Sequence, residues 1–409
     1  GAVRRGYVRP TGPIPFEEFS KLPIPDIAKK LRTGWTPKKL CDQNKNDDFL
    51  NPLNAEGVGE YLRADISKRL QNYIDNASLF FERGVLDQHY TYSFLRGVQE
   101  VICGNKVEIS GIDWDNLIVL YIVIKESGET NPFDNKRRGR DAFDAWLSDW
   151  TGVHSAITDV IQELLTEERG VKIDFPKYRD NLFKIISYLF SYPDPEPKDE
   201  QIESAGMKMK PPGSEEYVVS DPYSMAINTV RGRAFQAFVM FMYQDGKKFS
   251  KEEKIKISLE VKELYETVLK NENTRALMFM FGHYLPSFYF RDKDWVQGLL
   301  SQIFPVEPEK KNLYTAAWEG YVSANLYEEI FFNTDIQKLY ERGLTLTDAD
   351  YPKQKHFKEP DEGIAVHIAL AFMHFSEFGF EHDLFKKFWS MPNPKYHKEF
   401  ISFIGRHSI

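Results

Sequence analysis

Several features that place a protein in a functional class are scarce or missing in this chain of 409 residues. It has two cysteines, Cys41 and Cys103, which provide neither a disulfide framework nor the spacing of a metal-binding pair. That usage is typical of a reducing compartment, so we expect a cytoplasmic protein. No run of about 18 apolar residues occurs and the N-terminus lacks the apolar stretch of a secretory signal, so no membrane segment is expected.

Sequence motifs of common catalytic sites are also missing. The Gly246-Lys247 pair is not preceded by a glycine at the spacing of a phosphate-binding loop. The sequence contains no G-x-G-x-x-G, H-E-x-x-H, G-x-S-x-G or C-x-x-C. We therefore predict that this chain is not an enzyme and binds no cofactor, although a longer parent protein could carry an NTPase.

Positive charge is in deficit, with a net charge of −8 and a pI of about 5.7. This balance argues against general affinity for nucleic acid. One basic cluster ends the polar loop 126–140 and consists of Lys136, Arg137, Arg138 and Arg140. It is a candidate partner-binding site, suited to an acidic protein face or a phosphate backbone. The alternative is a solvated loop whose charges balance nearby acids.

Hydrophobic residues are abundant, at 42% of the chain, and they recur with the spacing of helix faces in segment after segment. About thirteen helices joined by short connections are expected, and few segments alternate as strands do. They include helices at 273–288, 311–331 and 334–343, and one that the capping-box pattern of Ser250–Glu253 begins. The predicted fold is all-α, an irregular α-solenoid or superhelix of stacked helical hairpins of the TPR or HEAT kind. The segment DNLIVLYIVI could be a buried strand, but its neighbours favour a helix.

One connection divides the predicted helices into two lobes. Residues 191–221 are rich in proline and acidic residues and are too long for a compact turn. We predict a linker or chain edge at 1–20, an N-terminal helical lobe at 21–190, and a C-terminal lobe at 222–409. The apolar pattern continues to the last residues, so we expect this chain to be a fragment of a longer protein.

The segment DPYSMAINTVRGRAFQAFVMFMY, residues 221–243, predicts a helix with Asp221 as its cap and Pro222 in the first position. An Arg-Gly-Arg sequence interrupts its apolar face. We interpret Arg231 as a strut that bonds carbonyl groups or a carboxylate of a neighbouring helix pair, with a functional anion site as the alternative. Gly232 predicts a close approach to another helix, and Asn228 is expected on the same face as Arg231.

Two patterns resemble metal sites only in part. His367 and His374 lie seven residues apart on a predicted helix at 363–379, with Glu377 one turn further and His382 beyond. Core or interface histidines are the favoured interpretation, and a helical enzyme site is the alternative. In a second pattern, residues 42–53 imitate a calcium loop, but Asp47 and Leu53 replace its glycine and its last glutamate. We therefore predict no metal ion.

The segment at 221–243, preceded by its acidic loop, resembles a segment in the C-terminal helical-repeat regions of bacterial antiviral STAND NTPases and of related long helical-repeat proteins. Other segments resemble neighbouring helix pairs of that region in the same order, and the resemblance covers most of the chain from about residue 20. These other segments are YTYSFLRGVQEVICG, IDWDNLIVLYIVI, NENTRALMFMFGHYLPSFYFRDKDWVQGLLSQIFP, LYTAAWEGYVSANLYEEIFFNTDIQKLYERGL, AVHIALAFMHF and FISFIGRHS.

The resemblance implies a helical-repeat sensor that recognises a viral structural protein, such as the phage terminase or portal. It also implies an effector and a nucleotide-binding domain elsewhere in the parent, which would oligomerise on activation. The residues that carry the resemblance are structural, so they identify no catalytic group in this chain. Two other functions stay open: an oligomerisation scaffold for a fused effector that senses nothing, and a helical enzyme with a site near His367 and His374.

Overall fold

The computed structural model describes residues 9–43, 51–104, 111–129, 147–166, 173–201, 218–250, 252–253, 255–354, 356 and 359–407. These residues form twenty α-helices and no β-strand, so the predicted all-α class is confirmed. Among the described residues, two isolated β-bridges pair extended backbone: Thr11 with Leu53, and Gln201 with Val219.

The first ten α-helices are α1 (Phe16–Phe19), α2 (Ile24–Thr33), α3 (Pro37–Gln43), α4 (Ala55–Asp75), α5 (Gln88–Gly104), α6 (Asp115–Ser127), α7 (Trp150–Leu165), α8 (Phe175–Phe190), α9 (Pro222–Asn228) and α10 (Val230–Asp245). The others are α11 (Leu259–Asn271), α12 (Arg275–His283), α13 (Leu285–Tyr289), α14 (Lys293–Ile303), α15 (Lys311–Ser323), α16 (Glu328–Phe331), α17 (Thr334–Gly343), α18 (Pro360–His374), α19 (Asp383–Ser390) and α20 (Pro394–His407). Short 3₁₀ helices lie at Ala77–Phe80, Pro197–Glu200, Gly246–Lys248, Pro308–Lys310 and Asp348–Asp350.

Local sequence explains where many helices begin. At six helix starts an Asp or Asn side chain accepts an N–H of the first turn, which leaves one fewer backbone donor unpaired. The six residues are Asn54, Asp149, Asp174, Asp221, Asp292 and Asn333. The predicted cap at Asp221 and the proline after it are therefore confirmed, and α17 has the predicted bounds 334–343. The segment DNLIVLYIVI is helical, within α6.

Three predicted helix boundaries are wrong. The predicted helix 273–288 is two helices, because Pro286 lacks the N–H that a continuous helix needs there. The predicted helix 311–331 stops at Ser323, and the Ala324 carbonyl accepts a hydrogen bond from the His367 ring (2.9 Å) instead of a helical N–H. The predicted helix 363–379 stops at His374, the last residue of α18.

The Ser250–Glu253 segment does not begin the helix that its sequence predicts. The backbone N–H of Ser250 does bond the Glu253 carboxylate (2.6 Å), so part of a capping box forms. The helix starts later, at Leu259. Lys256 donates its N–H to the Arg291 carbonyl (2.8 Å) and so takes no part in the hydrogen bonds of the helix.

The chain divides into two compact units: residues 1–192 with 236–244, and residues 193–235 with 245–409. In the first unit α4 packs against α5, α5 against α7, and α6 against α8. Large buried side chains fill this unit; the rings of Phe80 and Phe94, for example, stack with centroids 4.6 Å apart.

The second unit contains a row of helices in which each contacts the next: α9, α12, α15, α18 and α20. Other helices alternate with this row along the chain, and among these α11 contacts α14 and α17 contacts α19. This succession is the packing expected of stacked helical hairpins. No helix among the described residues is long and apolar enough to cross a membrane.

Glycines let α12 and α15 approach closely. A Cβ built on Gly282 would lie 1.9 Å from the Ala317 carbonyl oxygen, and one on Gly320 would lie 2.0 Å from the Phe279 carbonyl oxygen. Each helix therefore presents a bare backbone to a carbonyl group of the other, and neither position has room for any side chain.

Candidate functional site

The segment 221–243 is two helices rather than one. The chain is extended at Thr229, and a second helix begins at Val230. Asp194 caps this second helix: its carboxylate accepts the N–H of Val230 (2.7 Å) and its carbonyl accepts the N–H of Arg231 (2.8 Å). Asn228 is thus the exposed last residue of α9 and does not share a helix face with Arg231, contrary to the prediction.

Arg231 bonds the two kinds of partner that its sequence context predicts. Its guanidinium donates to the Pro195 carbonyl (3.0 Å) and forms an ion pair with Glu272, whose side chain is fully buried. The other Glu272 oxygen accepts the N–H and the hydroxyl of Thr274 (2.8 and 2.6 Å). Glu272 therefore joins Arg231 to the residue that precedes α12.

Gly232 allows the close approach that the sequence predicts. A Cβ there would lie 1.9 Å from the Ala226 carbonyl oxygen of α9. Arg233 donates to the Ile227 carbonyl (3.0 Å), so it bonds the C-terminal end of the same helix. Gly232 and Arg233 thus join α10 to α9, while Arg231 bonds residues outside α9.

The four basic candidates, Lys136, Arg137, Arg138 and Arg140, lie outside the described residues. Most of the segment that imitates a calcium loop, residues 44–50, is also outside them. Both interpretations remain predictions.

The histidines do not converge on one point. Buried His367 donates from Nε2 to the Ala324 carbonyl and accepts at Nδ1 from the Tyr340 hydroxyl (2.6 Å). His374 and Glu377 are exposed, and Glu377 lies beyond the end of α18. His382 caps α19 instead, accepting the N–H of Leu384 (3.2 Å). In the described part of the chain no group of three or more His, Cys, Asp or Glu side chains could hold a metal ion.

A buried charge cluster in the second unit surrounds Glu319, a residue that sequence reasoning did not select. Its carboxylate accepts from the Gln354 amide (2.9 and 3.0 Å) and lies 3.2 Å from His356 Nδ1. Burial raises the pKa of Glu319. Burial alone would lower the pKa of His356, but the hydrogen bond and charge of Glu319 outweigh it and raise that pKa.

This cluster predicts a pH dependence of stability. A histidine with a raised pKa stabilises the fold fully below its ordinary value of 6.5, and that stabilisation is lost as the pH rises through the folded-state pKa. The raised pKa of Glu319 acts in the same direction. We expect the free energy of unfolding, measured by urea denaturation, to fall as the pH rises above 6.5 and through the raised pKa of His356. In Glu319→Gln the fall should be smaller; an equal fall would exclude this pair as its source.

Exposed aromatic side chains recur at corresponding turns of the second unit. Phe290 follows α13, Tyr327 precedes α16 and Phe380 lies between α18 and α19; they are 46%, 41% and 71% exposed. We call these three residues the aromatic edge. Phe290 and Tyr327 touch, with ring centroids 5.0 Å apart, while Phe380 lies 5.1 Å from Phe372. The sequence signal for the edge is an aromatic residue just outside each helix, which periodicity within helices does not detect.

Comparison with protein-family models, with curated proteins and with solved structures found no match to this chain.

Proposed function

We propose that this chain is a protein-binding sensor module of a larger anti-phage defence protein, acting in the cytoplasm. Its partner would be a viral structural protein such as the terminase or portal, and binding would drive oligomerisation of the parent. The aromatic edge is the observation that supports a binding role best. The antiviral setting and the partner rest on the resemblance to the sensor regions of STAND NTPases.

Three exposed aromatic residues lie at three successive hairpin turns, where a protein partner can reach them. Aromatic side chains are enriched at the energetic centres of protein interfaces because they bury a large area at a small entropic cost. Their distribution over several hairpins fits a partner that contacts a long surface, on the order of 1,600 Å² in total, rather than a ligand in one pocket.

The test is binding of the 409-residue chain to purified terminase and portal proteins, measured by biolayer interferometry. We expect Phe380→Ser to weaken binding about tenfold, which corresponds to about 1.4 kcal/mol. The control is Val306→Ser, since Val306 is 66% exposed at a turn between α14 and α15 and is not part of the aromatic edge. Equal weakening by both variants would contradict a role for the edge.

The scaffold alternative predicts a different result. A scaffold self-associates in light scattering, with no dependence on a partner, and Phe380→Ser would then change the mass of the assembly. If no phage structural protein binds and the chain forms a stable oligomer, the sensor proposal is wrong.

A further inference from the structure

A short segment without regular secondary structure is bonded to α15 in the second unit. It consists of residues 351–354 and His356, between the 3₁₀ helix Asp348–Asp350 and α18, and we call these residues the latch. Its Gln354 and His356 side chains bond the Glu319 carboxylate, as described above. Because the latch lies outside every helix, its place in the fold depends on contacts of this kind.

The latch also holds a second segment of the chain. The Lys353 carbonyl accepts the backbone N–H groups of Val218 (2.8 Å) and Val219 (3.3 Å). The carbonyl of the next residue, Ser220, accepts a hydrogen bond from Arg275 Nη1 (2.9 Å). Release of the latch would therefore free the backbone N–H groups at 218–219 as well.

His356 Nδ1 faces a donor and an acceptor at the same time. It lies 3.2 Å from a Glu319 carboxylate oxygen and 2.9 Å from the Gln354 amide nitrogen. A protonated Nδ1 donates to the carboxylate, whereas a deprotonated Nδ1 turns its lone pair toward the same negative charge. One proton shared by Glu319 and His356 thus decides whether their contact is attractive or repulsive.

Charged groups from three other elements face this pair. Glu359, just before α18, and Asp221, the cap of α9, act on His356 and favour its protonated form. Arg275 at the start of α12 acts on Glu319 and favours the ionised carboxylate. With three carboxylates acting on one histidine, the pair holds its proton at acid pH and releases it as the pH rises. The attraction between the latch and α15 is then lost.

Polar atoms of the latch and of Arg275 would gain hydrogen bonds from water if the latch opened. Tyr351 Oη, Gln354 Oε1 and both Nε and Nη2 of Arg275 are buried, and they make no hydrogen bond within the described part of the chain. Arg275 as a whole is only 4% exposed. A buried polar atom without a partner costs free energy, so opening costs less here than at a fully bonded segment.

We propose that the latch is a pH-operated device, closed on α15 while Glu319 and His356 share one proton and open once that proton is lost. Opening exposes Glu319 and Arg275 to water and frees residues 218–219, while the helices of the second unit stay folded. The fall in global stability expected above does not require this local opening. The proposal also does not rest on the sensor function.

The test is hydrogen exchange of the whole chain, measured by mass spectrometry at pH 6 and pH 8 and corrected for the intrinsic exchange rate at each pH. In peptides that contain Val218 and Val219, we expect the protection of these amides to fall about tenfold from pH 6 to pH 8. At pH 8 the amides of α12 should remain at least about a hundredfold better protected, because the latch opens without unfolding the helices.

Two histidine variants test the role of the proton. In His356→Gln the side chain cannot lose a proton and can still donate to Glu319, so the protection at 218–219 should be equal at both pH values. His374→Gln is the matched control, because His374 is the exposed last residue of α18 and the substitution is the same. It should keep the tenfold fall. If His356→Gln does not fold, Glu319→Gln takes its place and should reduce the fall.

Three results overturn the proposal. The first is equal protection at 218–219 at both pH values in the unmodified chain. The second is a fall in His356→Gln, or in Glu319→Gln where it replaces that variant, as large as in His374→Gln. The third is protection of the α12 amides no better than that of the amides at 218–219. This last result would mean that the latch opens only when the whole unit unfolds.

Discussion

Gly320→Ala should lower the free energy of unfolding by about 3 kcal/mol, although alanine is the better helix former by about 1 kcal/mol. The new methyl group would meet the Phe279 carbonyl oxygen at 2.0 Å and the His283 nitrogen at 2.9 Å. Both are backbone atoms of α12, so no side chain can turn aside. The two helices must separate, and the contacts along their crossing are lost together.

The measurement is urea denaturation followed by far-UV circular dichroism. Gly298→Ala is the matched control, because Gly298 also lies inside a helix, α14, and a Cβ there would meet nothing within 4 Å. That variant should be unchanged or more stable by up to about 1 kcal/mol. If both variants shift stability equally and upward, α12 and α15 do not cross as closely as the structure has them.

The difference between Gly320 and Gly298 illustrates what the sequence can and cannot predict about the fold. The all-α class, the cap at Asp221 and the bounds of α17 follow from periodicity and from residues adjacent in the chain. The break at Thr229 does not, because the cap of the second helix is Asp194, more than thirty residues earlier in the chain. Nothing in the local sequence distinguishes Gly320 from Gly298, since the difference lies in which helix faces each one.

For the candidate sites too, the sequence predicts which residues stand out, but not which partners they bond. Sequence identifies Arg231 as a polar residue in an apolar helix, so a bonded partner could be expected, but not which one. His367 also stands out by composition, yet only the structure shows that both ring nitrogens bond to Tyr340 and Ala324.

Arg231→Glu should destabilise the protein by about 3–5 kcal/mol, because it places a second carboxylate beside one that is fully buried. The Arg231 side chain is itself only 15% exposed, so water can screen little of the repulsion. The Pro195 carbonyl also loses its donor. Lys398→Glu makes the same charge change at an exposed position on α20 and should alter stability by less than about 0.5 kcal/mol.

The double variant Arg231→Glu with Glu272→Arg separates the ion pair from the surrounding bonds. If Coulomb attraction between the two side chains dominates, the exchange should recover part of the lost stability, as a double-mutant cycle would measure. Recovery must stay incomplete, because Glu272 also accepts the N–H and hydroxyl of Thr274, which an arginine cannot do. A single variant Arg231→Glu that melts like the parent chain yet loses a partner or ligand would instead show that Arg231 belongs to a binding site. With the predicted loss of stability, Arg231 is the strut that joins α10 to the start of α12.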